Sequence, residues 1–257
     1  MINIVIPMAG AGSRFAKAGY KNPKPFIDVL GKPMICHVLD NLNIPDAKFI
    51  LLTRFEHYNN EQETVKWIKS NYKVEFVMID KLTEGAACTV LHAHRLINND
   101  TPLLIANSDQ IVDMDISEYI NDSKTRGLDG SVLCFEDNDK KWSYAKLDKN
   151  RFITEIREKE VISKNATVGI YYFNKGRDFV ENAIDMIVRN ERVNNEFYVA
   201  PVYNYAINQG KKFGICTIGK TQMHGTGTPE DLDKYIETVK EQQGALVLWE
   251  QQDLKIW

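Results

Sequence analysis

The sequence predicts an α/β protein: one mostly parallel sheet flanked by helices, with a β-rich part in its second half. Two patterns and a composition argument carry this reading. Through the first half, short apolar runs alternate with stretches of helical length and spacing, the order that gives parallel strands joined by crossover helices. From about residue 131 the apolar runs follow one another at short intervals and are rich in β-branched and aromatic residues. The composition is that of an ordinary folded chain, 44% hydrophobic and 26% charged over 257 residues, which excludes disordered, collagen-like and coiled-coil classes.

Taken in order, residues 2–8 form the first strand, and 48–53, 74–79 and 103–106 form three more. Each is an apolar run too short for a helix that must bury a face. Between them, 33–41, 58–70 and 86–97 have helical length and spacing. Strands follow at 131–135, 144–147, 152–157 and 167–173, and helices return at 176–189, 199–209 and 229–242. Repeats, linkers and low-complexity stretches are absent, so residues 1–257 read as a single domain.

Charge and cysteine usage narrow the function. With 32 basic and 35 acidic side chains the formal net charge is −3, and the cations form no block. Long nucleic acid is excluded as a partner, because neutralising its backbone needs clustered cations; a small phosphorylated ligand is not. Cys36, Cys88, Cys134 and Cys216 form no CxxC pair and sit among apolar residues, so they read as four small buried thiols in a reducing compartment. The N-terminus lacks a basic start followed by a long apolar run, and no stretch approaches the roughly 20 residues that span a bilayer. These features predict a cytoplasmic protein without membrane insertion.

The most informative segment is Pro7-Met8-Ala9-Gly10-Ala11-Gly12-Ser13-Arg14-Phe15. A strand enters a turn of small residues, whose backbone N–H groups can approach a ligand and converge on an anion. Arg14 follows at once, and Asn22-Pro23-Lys24-Pro25 places a second cation between prolines that hold the chain extended. Two cations beside a nest of amides suit a polyphosphate. A dinucleotide fingerprint is disfavoured because Phe15 stands where the third glycine belongs, and a P-loop pattern is absent. The strand at 103–106 delivers Asn107-Ser108-Asp109-Gln110 at its carboxyl end, where ligands bind in open α/β sheets. Asp109 there reads as a Mg²⁺ ligand or as a helix cap. Asp113-Met114-Asp115 resembles a metal-binding Asp-x-Asp, with Asp115 also placed to cap the next helix.

On Ala9-Gly10-Ala11-Gly12-Ser13-Arg14, Pro23-Lys24-Pro25 and Gly31-Lys32-Pro33-Met34-Ile35 the sequence resembles the nucleotidyltransferases of the sugar-nucleotide pyrophosphorylase type. The resemblance implies a Rossmann-like, GT-A-like sheet, with residues 1–130 as the nucleotide-binding half and 131–257 as the acceptor-binding half. It implies that Ala9, Gly10, Ala11, Gly12 and Ser13 wrap a nucleoside triphosphate. Arg14 would hold its β- and γ-phosphates, Lys24 would act at the α-phosphate, and Asp109 would hold Mg²⁺ (or Mn²⁺). Glu84 and Gly85, in Thr83-Glu84-Gly85-Ala86-Ala87, match a loop that reads base and ribose, although Glu84 reads equally as a helix start. Glu158, Lys159, Gly169 and Glu196 match segments that bind the acceptor, although alternating charges in a hairpin also read as a solvated face.

The segment Gly227-Thr228-Pro229-Glu230-Asp231-Leu232 matches the family, but Gly225 stands where many relatives carry a second metal-binding aspartate. His224 beside it is a weaker partner for Mg²⁺ than oxygen. The expected activity is transfer of a nucleotidyl group to a phosphorylated small molecule, with release of pyrophosphate. The compact length, residues 15–20 and Gly225 resemble a subgroup of surface- and capsular-polysaccharide biosynthesis enzymes, some of which use CTP and phosphoglutamine. Sugar 1-phosphate is the alternative acceptor, and a GT-A-type glycosyltransferase using Asp113 and Asp115 is the alternative class.

Overall fold

The computed structural model describes residues 1–253, with side chains through residue 241. The first half runs β1 (Ile2–Pro7), α1 (Ser13–Lys17), a 3₁₀ turn at Lys24–Phe26, β2 (Asp28–Val29), β3 (Lys32–Pro33), α2 (Met34–Asn41), β4 (Ala47–Arg54), α3 (Phe55–Asn60), α4 (Gln62–Asn71), β5 (Val74–Ile79), α5 (Ala86–Leu91), α6 (His94–Ile97), β6 (Leu103–Ala106), β7 (Gln110–Val112) and α7 (Ile116–Thr125). The second half runs β8 (Gly130–Glu136), β9 (Ser143–Leu147), β10 (Ile153–Glu158), β11 (Asn165–Phe173), α8 (Gly176–Val188), α9 (Val202–Asn208), β12 (Phe213–Thr217), a 3₁₀ turn at Lys220–Gln222, β13 (Met223–Gly225) and α10 (Pro229–Asp253).

Nine strands form one sheet in the order β10-β9-β11-β6-β1-β4-β5, with β8 on β11 and β12 on β8. β6, β1, β4 and β5 are parallel. β11 joins β6 antiparallel, so the β-rich second half continues the same sheet. Alternate residues of each central strand serve opposite layers. Val5, Ile50, Leu52 and Ile105 pack with Val90 of α5, Phe179 of α8 and Tyr203 of α9. Ile4, Ile6, Leu51 and Leu104 pack with Val38 of α2, Ile68 of α4 and Tyr119 of α7. Strands buried on both faces explain why their sequences are unbroken apolar runs. The Tyr203 ring stacks on Phe173 at 4.4 Å between centroids, and its single hydroxyl proton is shared between Tyr172 O at 3.1 Å and Ser131 O at 3.2 Å. A third cluster, Phe15, Ile27, Val29, Met34 and Leu232, anchors α1 to α10. The residue that argued against a dinucleotide loop is thus the anchor of the turn that precedes it.

The strands at 74–79 and 103–106 fall where the sequence places them. Several helices differ. The helix expected over 58–70 is two, divided at Glu61, whose φ −112° and ψ 36° lie outside the helical region. The helix expected over 86–97 is also two, divided at His92 and Ala93. Extension around Lys24 ends at Pro23; Phe26 N donates to Pro23 O, and the chain enters a 3₁₀ turn. Of the four cysteines, all free, Cys36 and Cys134 are buried and Cys88 and Cys216 half-buried. Burial pushes the Cys36 thiol up to about 12, which makes it inert at neutral pH. No helix among the described residues is long and apolar enough to cross a membrane.

The seam between α8 and the end of α6 has no room for a methyl group. A Cβ added at Gly176 would stand 2.2 Å from Ile97 O. Gly176→Ala is expected to cost about 2 kcal/mol through overpacking. Urea unfolding should show a lower midpoint at unchanged slope.

Candidate active site

The parallel strands β1 and β6 lie side by side, and the chain that leaves the carboxyl end of each builds the site. β1 stays paired through Met8, whose N–H donates to Leu52 O, and then departs from the sheet. Ala9 is buried against the sheet, and Gly12 turns the chain into α1 with φ +60°, a conformation L side chains adopt at a cost. The result is a cleft of about 300 Å³ lined by Met8, Gly10, Gly12, Ser13, Arg14, Lys24, Ser108 and Gly227. Arg14 is exposed above it and makes no ion pair among the described residues.

Lys24 Nζ donates to Asp109 Oδ2, with both side chains about four-fifths buried. Lys24 lies against the glycine turn: a Cβ on Gly12 would sit 3.4 Å from Lys24 Cβ. Asp109 follows β6, and its carbonyl accepts from Thr226 N at 2.8 Å. Gly227 leaves the carboxylate uncovered, since a Cβ there would lie 2.9 Å from Oδ2. The strand β7 begins at Gln110, so Asp109 caps no helix. Asp115 does: it caps α7 by accepting from Ser117 N at 2.8 Å. Asp113 accepts from His224 Nε2 at 2.8 Å, so the Asp-x-Asp carboxylates and His224 are engaged elsewhere. Gly225 pairs with Gln110 across β13 and β7, and only the Gln110 amide comes near its missing side chain.

A second cavity, about 230 Å³, is lined by Asn107, Trp142, Ser143, Glu158, Gly169, Tyr171 and Tyr198 among others. Consecutive residues therefore join the two spaces, with Asn107 in the second and Ser108 in the first. Gly169 has φ +95°, and a Cβ there would strike Asn107 Nδ2 at 2.3 Å. Asn107 N donates to Gly169 O at 3.0 Å, which fixes the end of β6 to β11. Ser143 Oγ donates to Glu158 Oε2, and burial holds the Glu158 carboxyl above its usual pKa. Lys159, beside it, is left-handed (φ +57°), and its Nζ donates to Tyr198 Oη at 2.6 Å.

The loop 83–87 abuts this cavity from the other side. Gly85 has φ +125°, and a Cβ there would lie 2.4 Å from Phe197 O. Phe197 N donates to Glu84 O at 2.7 Å and Ala87 N to Phe197 O at 3.0 Å. The Glu84 carboxylate is exposed and takes Arg192 Nη2 at 2.8 Å, outside both cavities. Glu196 is exposed, and its charge acts on Glu158 and Lys159. The structure thus groups Gly10, Gly12, Ser13, Arg14 and Lys24 in one space, with Asp109 tied to them through Lys24. It groups Glu158 and Gly169 in the other. Asn107 and Ser108 were legible by the strand-end rule that found Asp109; Trp142, Ser143 and Arg192 gave no signal.

The site fits a hard cation in a modest role. Among the described residues no three His, Cys, Asp or Glu side chains converge. Mg²⁺ needs no such cage where one carboxylate and phosphate oxygens serve, and Asp109 with Gly227 beside it meets that requirement.

A cleft lined by two cations at the carboxyl edge of a doubly flanked sheet, with a second cavity beside it, is the place where open α/β proteins bind ligands. The chain belongs to the nucleotidyl transferase family, whose profile matches residues 4–241. It is 27% identical over 222 residues to the bifunctional protein GlmU of Methanococcus vannielii, covering 83% of this chain and 50% of that protein. The mannose-1-phosphate guanylyltransferase catalytic subunit beta of Drosophila pseudoobscura is 22% identical over 175 residues, 66% of this chain and 47% of that one. The chain thus spans about half the length of these relatives. Among solved structures, a nucleoside-diphosphate-sugar pyrophosphorylase from Vibrio cholerae RC9 superposes with a TM-score of 0.77 at 25% identity, covering 91% of this chain and 99% of that one. A UDP-glucose pyrophosphorylase complexed with UDP-glucose shares the fold at 0.77 and 17% identity, covering 94% and 100%.

The buried Glu158 has a consequence for stability. Its folded pKa lies above the unfolded value, so the folded state binds that proton more tightly. The destabilisation is absent below the unfolded pKa and grows as pH rises through the folded one. Glu158→Gln should therefore melt at or above wild type near about pH 8, with the gap closing toward about pH 4. Melting temperatures across that range check it.

Proposed function

We propose that the protein transfers a nucleotidyl group from a nucleoside triphosphate to a phosphorylated small molecule and releases pyrophosphate. The observation that carries this reading is a pair of neighbouring cavities lined by the consecutive residues Ser108 and Asn107, with the Lys24–Asp109 pair beside them. The triphosphate tail lies in the first space, against the amides of residues 9–13, with Arg14 on its β- and γ-phosphates. The acceptor lies in the second, against Glu158, Lys159 and Gly169, and its phosphate faces the Lys24–Asp109 pair. A phosphate oxygen of the acceptor attacks the α-phosphorus in line, and the bond to the β-phosphate oxygen breaks. A phosphate dianion is already a nucleophile at neutral pH, so no general base is required. The chain's contribution is orientation and stabilisation of charge. Lys24 exchanges the Asp109 carboxylate for the α-phosphate, which releases Asp109. Mg²⁺ or Mn²⁺ held by that carboxylate would supply Lewis-acid neutralisation of triphosphate oxygens.

For the finer identity, the resemblance of residues 15–20 and Gly225 to a subgroup of surface- and capsular-polysaccharide biosynthesis enzymes favours CTP and phosphoglutamine. The names of the relatives, a mannose-1-phosphate guanylyltransferase and a nucleoside-diphosphate-sugar pyrophosphorylase among them, favour a sugar 1-phosphate as the second reading. The glycosyltransferase alternative is set aside, because Asp113 and Asp115 are occupied by His224 and the α7 cap.

A pyrophosphate-release screen of four triphosphates against phosphorylated sugars, phosphocholine and phosphoglutamine tests the reaction and separates the acceptors. Release with none of these pairs would overturn it. Removing one preorganised charge costs roughly a hundredfold in rate. Lys24→Ala and Arg14→Ala are each expected to lose about that much kcat/KM while keeping a cooperative melting transition.

A further inference from the structure

We propose that Tyr198 is a positioning residue for the acceptor. Its hydroxyl holds the Lys159 ammonium at the edge of the second cavity, and its segment keys that position to the loop 83–87. The identity of the ligand as an acceptor phosphate rests on the proposed transfer reaction; the pairing itself does not.

The geometry builds this from both sides. Lys159 leaves β10 in the left-handed region (φ +57°), which a non-glycine residue adopts only when its surroundings enforce it. Its own N–H is spent on Trp142 O at 3.0 Å, so the backbone is fixed while the side chain departs toward Tyr198. There Nζ donates to Tyr198 Oη at 2.6 Å and stands 4.7 Å from the ring centroid. No carboxylate lies within ion-pairing distance of Nζ among the described residues. The neighbouring charges of Glu158 and Glu196 nevertheless help keep the amine protonated. An ammonium has three donors, and only one is spent. What remains is a charged, half-buried donor fixed on Tyr198, which lines the second cavity, and such a donor is the requirement for holding an anion such as a phosphate monoester.

The other end of the connection is Phe197. Its two backbone hydrogen bonds to Glu84 and Ala87, and the lack of room for any side chain at Gly85, dock residues 195–198 on the loop 83–87. Arg192 reinforces the dock by bonding Glu84 at 2.8 Å while lying 4.1 Å from the Phe197 ring centroid. A shift of that loop is therefore carried to Tyr198, and from there to Lys159.

Tyr198→Phe keeps the ring and removes the hydroxyl. Hydrogen bonds to charged groups are worth enough that the KM for glucose 1-phosphate or phosphoglutamine, whichever turns over, should rise about tenfold. The kcat and the KM for the triphosphate should change less than about twofold. In a Lys159→Met background the same substitution should add nothing, because the partner is gone. A second readout needs no turnover: the NMR resonance of ¹³C-methylated Lys159, whose pKa should fall in Tyr198→Phe and which inorganic phosphate should shift in wild type. An unchanged acceptor KM with an unchanged Lys159 resonance overturns the proposal, as does a full Tyr198→Phe effect in the Lys159→Met background. If no pair turns over but phosphate still shifts the resonance, the transfer reading fails and the Tyr198–Lys159 anion site stands.

Discussion

The ion pair between Lys24 and Asp109 is the contact on which the site depends. It ties the proline-flanked turn after α1 to the end of β6, two segments 85 residues apart in the chain. Both groups are largely out of water, so neither could lose its partner without leaving a buried charge uncompensated, a change that typically costs several kcal/mol. The glycine loop has no regular structure of its own between β1 and α1. What holds it is Met8 paired to β4 at one end, Phe15 in its apolar cluster at the other, and Lys24 beneath Gly12. The cleft is a consequence of these three anchors.

Three glycines around the site follow the same logic, since each marks a close approach that a side chain would block. Gly85 meets Phe197, Gly169 meets the Asn107 side chain, and Gly227 leaves the Asp109 carboxylate open. The first two also require left-handed φ, so no other residue satisfies either condition without strain. Together they hold the end of β6, the middle of β11 and the loop 83–87 close enough for the consecutive residues Asn107 and Ser108 to line two different cavities.

The scaffold was legible in the sequence wherever burial imposes a period. Strand β6 lies at its expected bounds because a strand covered on both faces can only be a short apolar run, whereas β5, an edge strand with Met78 exposed, matches its bounds on apolar content alone. Helix breaks at Glu61 and at His92–Ala93 were not legible, because apolar spacing continues across them while the backbone does not. At the site, Gly12, Arg14, Lys24 and Asp109 could be found because their chemistry is local to a turn or a strand end. The pairing of β7 with β13 could not: three residues carry no period, and the partners are more than a hundred positions apart. That pairing decides the fate of His224, which faces Asp113. Glu84 illustrates the opposite limit, since its carboxylate is taken by an arginine that only the fold brings near.

The lone carboxylate beside the cleft can be understood by counting charges. A triphosphate brings about four negative charges at neutral pH. Before it arrives, Asp109 balances Lys24 and the cleft is locally neutral apart from Arg14. In the proposed reaction the incoming phosphates replace Asp109 as the partner of Lys24, and that exchange frees one hard oxygen ligand at the moment a divalent cation would accompany the nucleotide. Gly225 lies on β13 against Gln110 and lines neither cavity, so a carboxylate there would have the Gln110 amide, and no cation, nearest to its Cβ. Gly225 avoids this, and the Gln110 amide beside it is neutral. His224, a poor partner for a hard cation, is held away on Asp113. The departure at 225 is thus consistent with a site in which one carboxylate serves in turn as the counter-ion of a lysine and as an oxygen ligand.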